Sequence, residues 1–390
     1  MKNLWNDNKA KAYTTDLDLR VYTSNLLGES DELVLHGGGN TSVKSIVNDE
    51  GVLYVKGSGW DLVSIKAEGF SPVKMMTLLE MADMELLSDS DMVSGQKKAM
   101  IDSTAPNPSV EAILHALIPF KVVDHTHADA IVTISNSKKG DQYIEELFPN
   151  FLIVPYIMPG FILAQKINEM TQNTDWEKCE GIILHNHGIF TFDNDAKRSY
   201  EKMIFAVSKA ELFLSEHADI IFNDRKVTDF DLERLKLLIE KEKGHAVEIH
   251  VNQTPLALHY ASQENLSHFA SRGVLTPEHI LRTKRVPLIL ENKNIKKALK
   301  QYIKKYKAYF NRFATDEIML NPAPNYAVIQ NFGVVIFGKN EKESTILNDV
   351  VEHTMLAVLR ADKLGGYESL SLQDSFEMEY WELEQAKLKK

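Results

Sequence analysis

Two apolar stretches of this sequence each carry a pair of histidines two residues apart, and this pattern constrains the fold more than any other. The stretch "VVDHTHADAIVTIS" contains His125 and His127, and "GIILHNHGIFTF" contains His185 and His187. Side chains two residues apart on a β-strand leave from the same face. Each pair is therefore predicted to present two imidazoles from one strand face. The second stretch as a whole is predicted to be either a strand pair or one bent strand.

Two imidazoles on one face can bind a divalent metal, because a histidine ring nitrogen is a common zinc ligand at about 2.0–2.1 Å. A pair of half-buried, hydrogen-bonded histidines explains the first stretch equally well, with Asp124 and Thr126 on the opposite face. A third histidine from the second stretch would leave one position open, as in catalytic zinc sites. Closed structural sites usually contain cysteines, and Cys179 is the only one in the chain. We therefore favour an open site with three histidine ligands.

Glu111 lies in "NPSVEAILHAL", just upstream of the first histidine pair. Beside a metal, this carboxylate is a candidate general acid/base. The alternative is an exposed glutamate in the first turn of a helix, where the helix dipole favours negative charge. On the sequence alone, the exposed position is the better interpretation.

Two glycine-rich segments, "HGGGNTS" and "KGSGWD", are predicted to form tight turns. Such turns can present backbone N–H groups to a phosphate. Neither segment contains the P-loop motif or the dinucleotide-binding fingerprint. Each segment alone is more often only a tight turn, but the presence of both favours a phosphate site.

Length and composition exclude several classes of protein. The 390 residues are enough for two domains, and the formal net charge of −11 argues against binding to nucleic acid. The chain has no apolar run of membrane-spanning length, and its first residues lack the apolar core of a signal peptide. With a single cysteine, the expected compartment is the cytoplasm.

The order of predicted elements suggests two domains. "SPVKMMTLLEMADMELL" has helical periodicity, with Ser71 as the predicted N-cap and Pro72 at the first helical position. A charged helical stretch over 222–250 resembles a connector. Beyond it, short strands alternate with helices again. We therefore predict a catalytic domain over 1–245 and a smaller α/β domain over 246–390.

One segment of the second predicted domain is similar in sequence pattern to a segment of the first. "AVIQNFGVVIFG" followed by a helix parallels "GIILHNHGIFTF" followed by a helix, with Gly333 in the place of Gly188. Gln330 and Phe332 stand where the first copy has its two histidines. A degenerate partial repeat and a chance recurrence of strand, glycine, strand and helix are equally good explanations.

Taken in order and spacing, six segments resemble the class II (metal-dependent) aldolase/adducin family: "GGGNTSVK", "KGSGWDL", "PSVEAILH", "HTHADA", "IMPG" and "HNHG". They cover roughly residues 20–220. A more extended similarity is to the aldolase part of bifunctional rhamnulose-1-phosphate aldolase/alcohol dehydrogenases. The resemblance implies a three-layer α/β/α fold around a mainly antiparallel sheet, followed by a smaller C-terminal α/β module.

The resemblance also assigns roles to residues. It implies that His125, His127 and His187 bind the metal, which leaves His185 as a neighbour, and that Glu111 is the catalytic carboxylate. The implied ion is a divalent metal, with zinc favoured, although three-imidazole sites also accept Mn, Co or Fe.

For the substrate phosphate, the resemblance implies contacts from Asn40, Ser58, Gly59 and Ser109. Members that act on fuculose phosphate have a second serine before the catalytic glutamate, whereas this chain has Val110. We expect Lys56 to compensate for the missing hydroxyl.

The implied reaction is cleavage of a ketose 1-phosphate, with L-rhamnulose 1-phosphate favoured, into dihydroxyacetone phosphate and L-lactaldehyde. A homo-oligomer is also implied. In the bifunctional proteins a short-chain dehydrogenase follows the last motif, whereas this sequence stops at Lys390. Two alternatives are open: the dehydrogenase is a separate partner protein, or it belongs to a longer chain of which this sequence is a part.

Three alternatives remain at this point. The same fold and metal serve sugar-phosphate epimerases, dehydratases and decarboxylases. A non-catalytic, adducin-like interaction module would be expected to lack the metal histidines, which this chain retains. An oxidoreductase would need the dinucleotide fingerprint, which this chain lacks.

Overall fold

The strands of this protein form two separate β-sheets in the computed structural model, which describes residues 1–223, 225–292 and 294–384. The chain divides into two compact units. The first comprises residues 1–135 and 141–213, and the second comprises residues 136–140 and those from 214 onward. The last six residues of the predicted C-terminal domain, 385–390, lie outside the described residues.

The first unit is built on a seven-stranded sheet with the order β3-β2-β1-β4-β7-β6-β5. Its strands are β1 (Asn40–Val47), β2 (Glu50–Lys56), β3 (Phe70–Lys74), β4 (Val122–Thr126), β5 (Phe151–Val154), β6 (Gly181–Leu184) and β7 (Gly188–Asp193). Every neighbouring pair is antiparallel except β5 and β6, which are parallel. The predicted mainly antiparallel sheet is confirmed.

Helices connect these strands. They are α1 (Asp7–Ala10), α2 (Asp16–Gly28), α3 (Met75–Ala82), α4 (Asp89–Lys98), α5 (Ala112–Leu117), α6 (Asp129–Ser135), α7 (Gly140–Leu147), α8 (Phe161–Thr171) and α9 (Ala196–His217). Short 3₁₀ helices cover Leu62–Ser64 and Ala67–Gly69.

Helices cover both faces of this sheet, and β4 shows why. Val123 is buried in a hydrophobic cluster that also contains residues of α3, α5 and α8. Asp124 leaves from the opposite face, where its carboxylate lies 2.5 Å from the Arg20 guanidinium of α2 and accepts a hydrogen bond from Ser199 of α9. Alternating side chains of one strand therefore contact two helical layers. This confirms the predicted three-layer α/β/α architecture.

The predicted helix start at "SPVK" is wrong. Ser71 and Pro72 lie in β3, and the helix begins only at Met75. The Ser71 hydroxyl donates to the Pro106 carbonyl instead of capping a helix. Because β3 is an edge strand, the missing N–H of proline is tolerated there.

The second unit has a four-stranded sheet with the order β8-β11-β10-β9. Its strands are β8 (Glu248–Asn252), β9 (Leu288–Leu290), β10 (Tyr326–Ile329) and β11 (Gly333–Gly338). Its helices are α10 (Leu232–Lys243), α11 (Pro255–Ala261), α12 (Leu266–Ala270), α13 (Ile280–Thr283), α14 (Ile295–Phe313), α15 (Glu341–Lys363) and α16 (Leu372–Glu379), with a 3₁₀ helix over Pro277–His279.

Residues 214–245, which the sequence placed with the first domain, fall in the second unit. The physical reason lies in α10, whose Leu235 and Ile239 are buried in one cluster with Phe337 of β11 and Leu288 of β9. The charged appearance of this stretch comes from its exposed face, so it is a helix of the second core.

The second sheet has the same strand order and orientation as four neighbouring strands of the first. β8, β9, β10 and β11 correspond in chain order to β4, β5, β6 and β7, and in both sets only the second and third strands form a parallel pair. The two hairpins share a register, since Leu184 pairs with Gly188 and Ile329 pairs with Gly333. In both turns an asparagine adopts a positive φ, 59° in the first and 57° in the second.

Among the described residues, no helix combines the length and apolar character needed to cross a lipid bilayer.

Candidate metal centre

Three imidazoles from two chain segments converge in the first unit. His125, His127 and His187 each offer one ring nitrogen, and these three atoms lie within 4.8 Å of one another. The Nε2 atoms of His125 and His127 are 3.1 Å apart. Ligand nitrogens around a tetrahedral zinc ion at about 2.0–2.1 Å would be roughly 3.3 Å apart. The group is therefore spaced as a single cation requires.

The end of β4 places two of these rings. His125 is the fourth residue of β4 and lies between Asn40 of β1 and Phe190 of β7. His127 follows one residue after the strand ends at Thr126, yet its ring lies beside that of His125, with 4.9 Å between centroids. The predicted two-residue spacing thus brings both rings together, although only His125 lies within the strand.

The turn between β6 and β7 places the third ring, and here the predicted strand face is wrong. His185 and His187 both lie in the turn, because β6 ends at Leu184 and β7 begins at Gly188. Asn186 between them has a φ of 59°, a left-handed conformation that asparagine tolerates. The two histidines consequently have different surroundings: Nδ1 of His185 lies 3.2 Å from the Asp141 carboxylate.

The backbone beside His125 prepares its ring to bind a cation. Its Nδ1 lies 3.1 Å from the Ile189 carbonyl oxygen, so Nδ1 carries the proton and Nε2 keeps its lone pair. Burial lowers the pKa of His125 well below its usual value, and the neighbouring imidazoles of His127 and His187 lower it further. The ring is therefore neutral, as a ligand must be.

Gly188 allows the two segments to approach. A Cβ atom at this position would lie 2.3 Å from the Thr126 carbonyl oxygen, 3.1 Å from Cε1 of His125 and 3.2 Å from Cδ2 of His127. Any side chain at this position would force β7 away from β4. The glycine directly after His187 is thus a requirement of the site.

Glu111 closes one side of the cluster. It occupies the N-cap position of α5 and is only 5% exposed, so the exposed alternative does not hold. Its Oε2 lies 3.5 Å from Nε2 of His125, and its Oε1 lies 3.6 Å from Nε2 of His187. Oε1 is buried and has no hydrogen-bond partner among the described residues. A cation held by the histidines would satisfy this oxygen.

A second set of residues orients the Glu111 carboxylate. Asn40 donates from Nδ2 to Oε2 of Glu111 at 2.5 Å, and its Oδ1 contacts Nε2 of His115. Ser42 in turn lies 2.7 Å from Nδ1 of His115. Because the Asn40 oxygen accepts, His115 donates from Nε2 and accepts the Ser42 hydroxyl at Nδ1. Burial lowers the pKa of His115 to about 3, so this ring stays neutral.

His115 was not predicted from the sequence as a site residue. It follows Glu111 by four residues in "EAILH", a spacing that places both on one side of a helical turn. That spacing was the available signal.

Asn40, which the resemblance assigned to the substrate phosphate, uses both ends of its side-chain amide for contacts within the protein.

The remaining predicted phosphate residues lie on two loops that meet. Gly57 bridges Pro108, the Ser58 N–H donates to Asn107, and the Ser109 N–H donates to Lys56. Ser58 and Gly59 are exposed, and Gly59 has a φ of 88°. The structure thus brings Lys56, Ser58, Gly59 and Ser109 into one neighbourhood.

Lys56 links this neighbourhood to the metal centre. It is buried, and its Nζ donates to the Gly37 carbonyl at 3.0 Å. Burial lowers the pKa of Lys56 to about 8, while the carboxylates of Asp61 and Glu111 oppose that effect. Lys56 is therefore a cation at neutral pH that interacts with the candidate catalytic carboxylate.

Comparison with known proteins agrees with this geometry. The family profile described as "Class II Aldolase and Adducin N-terminal domain" matches residues 20–214, and the profile "Aldolase class II, second domain" matches residues 229–388. Together they cover both units.

Among solved structures, the N-terminal class II aldolase domain of a conserved protein from Thermoplasma acidophilum is 39% identical, with a TM-score of 0.51 over 55% of this chain and 99% of that chain. The L-fuculose-1-phosphate aldolase from Thermus thermophilus is 14% identical, with a TM-score of 0.34 over 51% of this chain and 95% of that one.

A curated relative is longer than this chain. The uncharacterized oxidoreductase YuxG of Bacillus subtilis (strain 168) is 30% identical over 417 residues, which cover 100% of this chain and 60% of YuxG. The chain therefore spans about three fifths of that relative's length. From the profile matches, the Thermoplasma structure and the clustered histidines together, we conclude that the chain belongs to the class II aldolase and adducin family.

Proposed function

We propose that this protein is a metal-dependent aldolase that cleaves L-rhamnulose 1-phosphate into dihydroxyacetone phosphate and L-lactaldehyde. The observation that carries the proposal is the convergence of His125, His127 and His187 beside the buried carboxylate of Glu111. Membership of the class II aldolase and adducin family supports it. The substrate follows from the sequence resemblance to rhamnulose-1-phosphate aldolases.

The residues of the cluster fit a divalent cation. They supply three imidazole nitrogens, and the other ring nitrogen of His125 is hydrogen-bonded to a backbone carbonyl. They also supply the Oε1 atom of Glu111, which has no hydrogen-bond partner among the described residues. This donor set suits zinc. A bound divalent cation supplies Lewis-acid stabilisation of negative charge that develops on the substrate, an effect worth several kcal/mol.

Glu111 is the proposed proton carrier. The C4 hydroxyl gives its proton to the Glu111 carboxylate and becomes the aldehyde, and the bond between C3 and C4 breaks with its electron pair left on C3. Glu111 then delivers a proton to C3, a role that contributes typically about 10²–10⁴-fold. The hydrogen bond from Asn40 to Oε2 supports this role, because it holds the carboxylate in a fixed orientation.

The phosphate of the substrate is proposed to bind beside Lys56, the last residue of β2, and the loop residues Ser58, Gly59 and Ser109. The Lys56 ammonium supplies charge, and the exposed Ser58 and Gly59 supply a hydroxyl and backbone N–H groups. The approach of the two loops at Gly57 and Pro108 supports a single site.

Two further expectations belong to this proposal. The protein is proposed to be a homo-oligomer, as the family resemblance implies. We also propose a separate short-chain dehydrogenase as a partner that consumes the aldehyde. The similarity to the longer relative YuxG, an uncharacterized oxidoreductase, supports this.

The second unit is proposed to be a degenerate partial repeat that has lost the metal. By sheet register, Val251 and Gln253 correspond to His125 and His127, and Phe332 corresponds to His187. The shared strand order and hairpin register support this proposal.

A substrate panel tests the activity. Zinc-loaded protein would be incubated with L-rhamnulose 1-phosphate, L-fuculose 1-phosphate and L-ribulose 5-phosphate, and the products identified by NMR. The proposal expects dihydroxyacetone phosphate from the first substrate at the highest kcat/KM. Formation of an epimer, a dehydrated sugar or carbon dioxide without dihydroxyacetone phosphate would assign one of the alternative reactions of this fold.

The Glu111→Gln variant tests the role of the carboxylate in the same assay. We expect turnover to fall by about 10²–10⁴-fold while the metal content stays that of the native protein. Glu180→Gln, at an exposed position of the same unit, is the matched control. Full activity in Glu111→Gln would refute the proton-carrier assignment.

A further inference from the structure

The second unit contains a cavity of about 490 Å³ between α14 and β9. Its walls are largely apolar and aromatic: they include Leu288, Ile289 and Leu290 of β9 and Tyr302, Tyr306 and Tyr309 of α14. A volume of about 300–1,000 Å³ is typical of sites for small molecules. Every lining residue belongs to the second unit, so this cavity is distinct from the metal centre.

An arginine with an unsatisfied buried nitrogen lies in the wall of this cavity. Arg285 lines the cavity, and its Nη1 is buried without a hydrogen-bond partner among the described residues. Within the described part of the chain, no carboxylate forms an ion pair with the guanidinium. An arginine remains charged in proteins, and burying a charged N–H group without a hydrogen-bond acceptor costs free energy. A ligand that brings an anion would recover that cost.

The acidic groups near Arg285 already have other partners. Glu379 is 1% exposed and accepts a hydrogen bond from the Tyr306 hydroxyl at 2.7 Å. Glu291 lines the cavity, but its Oε1 accepts from the Ser267 hydroxyl at 2.7 Å and from the Ser267 N–H at 3.1 Å. Glu379 also interacts electrostatically with both Lys284 and Arg285, so one buried carboxylate faces two cations. A net positive charge therefore remains at this wall of the cavity.

The surface beside the cavity is strongly basic. α14 carries seven lysine and arginine residues and no acidic residue, although the whole chain has a formal net charge of −11. One of them, Lys305, lines the cavity and is exposed. The local field therefore attracts anions toward this cavity against the charge of the chain as a whole.

We propose that this cavity is a second ligand site, which binds a small organic anion. The apolar or aromatic body of the ligand contacts β9 and the three tyrosines, and its carboxylate or phosphate group pairs with Arg285. A planar guanidinium binds either group through two parallel hydrogen bonds. The reaction proposed for the first unit uses none of these residues, so this site is an addition to that activity.

The first test measures binding of probe compounds to the full chain. Saturation-transfer NMR and calorimetry would be run with benzoate, phenyl phosphate and the neutral analogue benzamide. We expect saturable binding of benzoate, phenyl phosphate or both, and binding of benzamide that is at least ~10-fold weaker, because it lacks the charge. The ratio of the two anions distinguishes a carboxylate ligand from a phosphate ligand.

Variants then locate the binding. Arg285→Gln should weaken the binding of whichever anion binds more tightly by ~10-fold or more. Lys297 is an exposed residue of α14 outside the cavity, so Lys297→Gln should bind this anion like the native protein. If Arg285→Gln does not fold, as judged by circular dichroism, Ala298→Leu tests the same site by filling it.

Three results would overturn the proposal: no saturable binding of either anion up to about 10 mM, equal binding of benzamide, or native affinity in both the Arg285 and the Ala298 variants. None of them would bear on the metal centre.

Discussion

The side-chain amide of Asn40 donates a hydrogen bond to the Glu111 carboxylate, with 2.5 Å between Nδ2 and Oε2. Asn40 begins β1 and Glu111 precedes α5, so this contact joins two elements 71 residues apart in sequence. The Asn40 amide oxygen is hydrogen-bonded to Nε2 of His115, and the Ser42 hydroxyl is hydrogen-bonded to Nδ1 of the same ring. The orientation of the carboxylate is therefore determined by three uncharged side chains.

Replacing Asn40 by alanine should lower kcat by about 10- to 100-fold, because a hydrogen bond to a charged group contributes roughly 1.5–3 kcal/mol. Metal content should stay unchanged, since Asn40 is not a ligand. Steady-state kinetics separate this role from the phosphate contact implied by the sequence, because losing a phosphate contact would raise KM instead of lowering kcat. Ser45→Ala in the same strand is the control, and native kinetics in Asn40→Ala would exclude both roles.

The phosphate affinity should depend on pH through Lys56. Its pKa is lowered to about 8, chiefly by burial, so the ammonium is charged below that pH and neutral above it. The phosphate is a dianion throughout this range because its second pKa is about 6. KM for the phosphorylated substrate should therefore rise as the pH increases through about 8.

The Lys56→Arg variant is the matched test, because a guanidinium keeps its charge over the whole range. Its KM should remain flat where that of the native protein rises. An identical rise in both proteins would show that another group causes the pH dependence.

The Gly188→Ala substitution should lower both the stability of the fold and the affinity of the metal site. The new Cβ would lie 2.3 Å from the Thr126 carbonyl oxygen and close to the rings of His125 and His127. Overpacking of this kind costs typically about 1–3 kcal/mol in the free energy of unfolding, and separation of β4 from β7 should reduce metal binding. Urea unfolding and metal analysis measure the two effects.

Gly51→Ala is the control, because its Cβ would lie 3.5 Å from Cβ of Met75, an ordinary contact. It should unfold like the native protein. Equal stability of the two variants would contradict the close approach at Gly188.

Side-chain periodicity correctly predicted the central strand. The alternation in "VVDHTH" places His125 toward α5 and Asp124 toward Arg20 of α2, because the strand is buried on both faces. Periodicity failed at the second histidine pair, where Gly188 starts a new strand and the residues before it form a turn. The sequence left open whether "GIILHNHGIFTF" forms a strand pair or one bent strand. The structure shows the strand pair, with both histidines in the turn between β6 and β7.

Local patterns also missed features that depend on distant partners. "SPVK" has the composition of a helix start, but Ser71 finds the Pro106 carbonyl and the segment joins an edge strand. His115 gives no signal except its spacing from Glu111, because its role depends on Asn40, 75 residues away. Such contacts arise from the tertiary fold and are absent from any short stretch of sequence.

The proposed activity requires that three imidazoles from two chain segments hold one cation, and variants in the turn between β6 and β7 test this most directly. Metal content after dialysis would be compared for the native protein, His185→Gln and His187→Gln. His185 lies beside Asp141 outside the cluster, whereas His187 is within it.

We expect about one equivalent of zinc in the native protein and in His185→Gln, and a large loss in His187→Gln. Retention of the metal in His187→Gln, or equal loss in both variants, would contradict the proposed site.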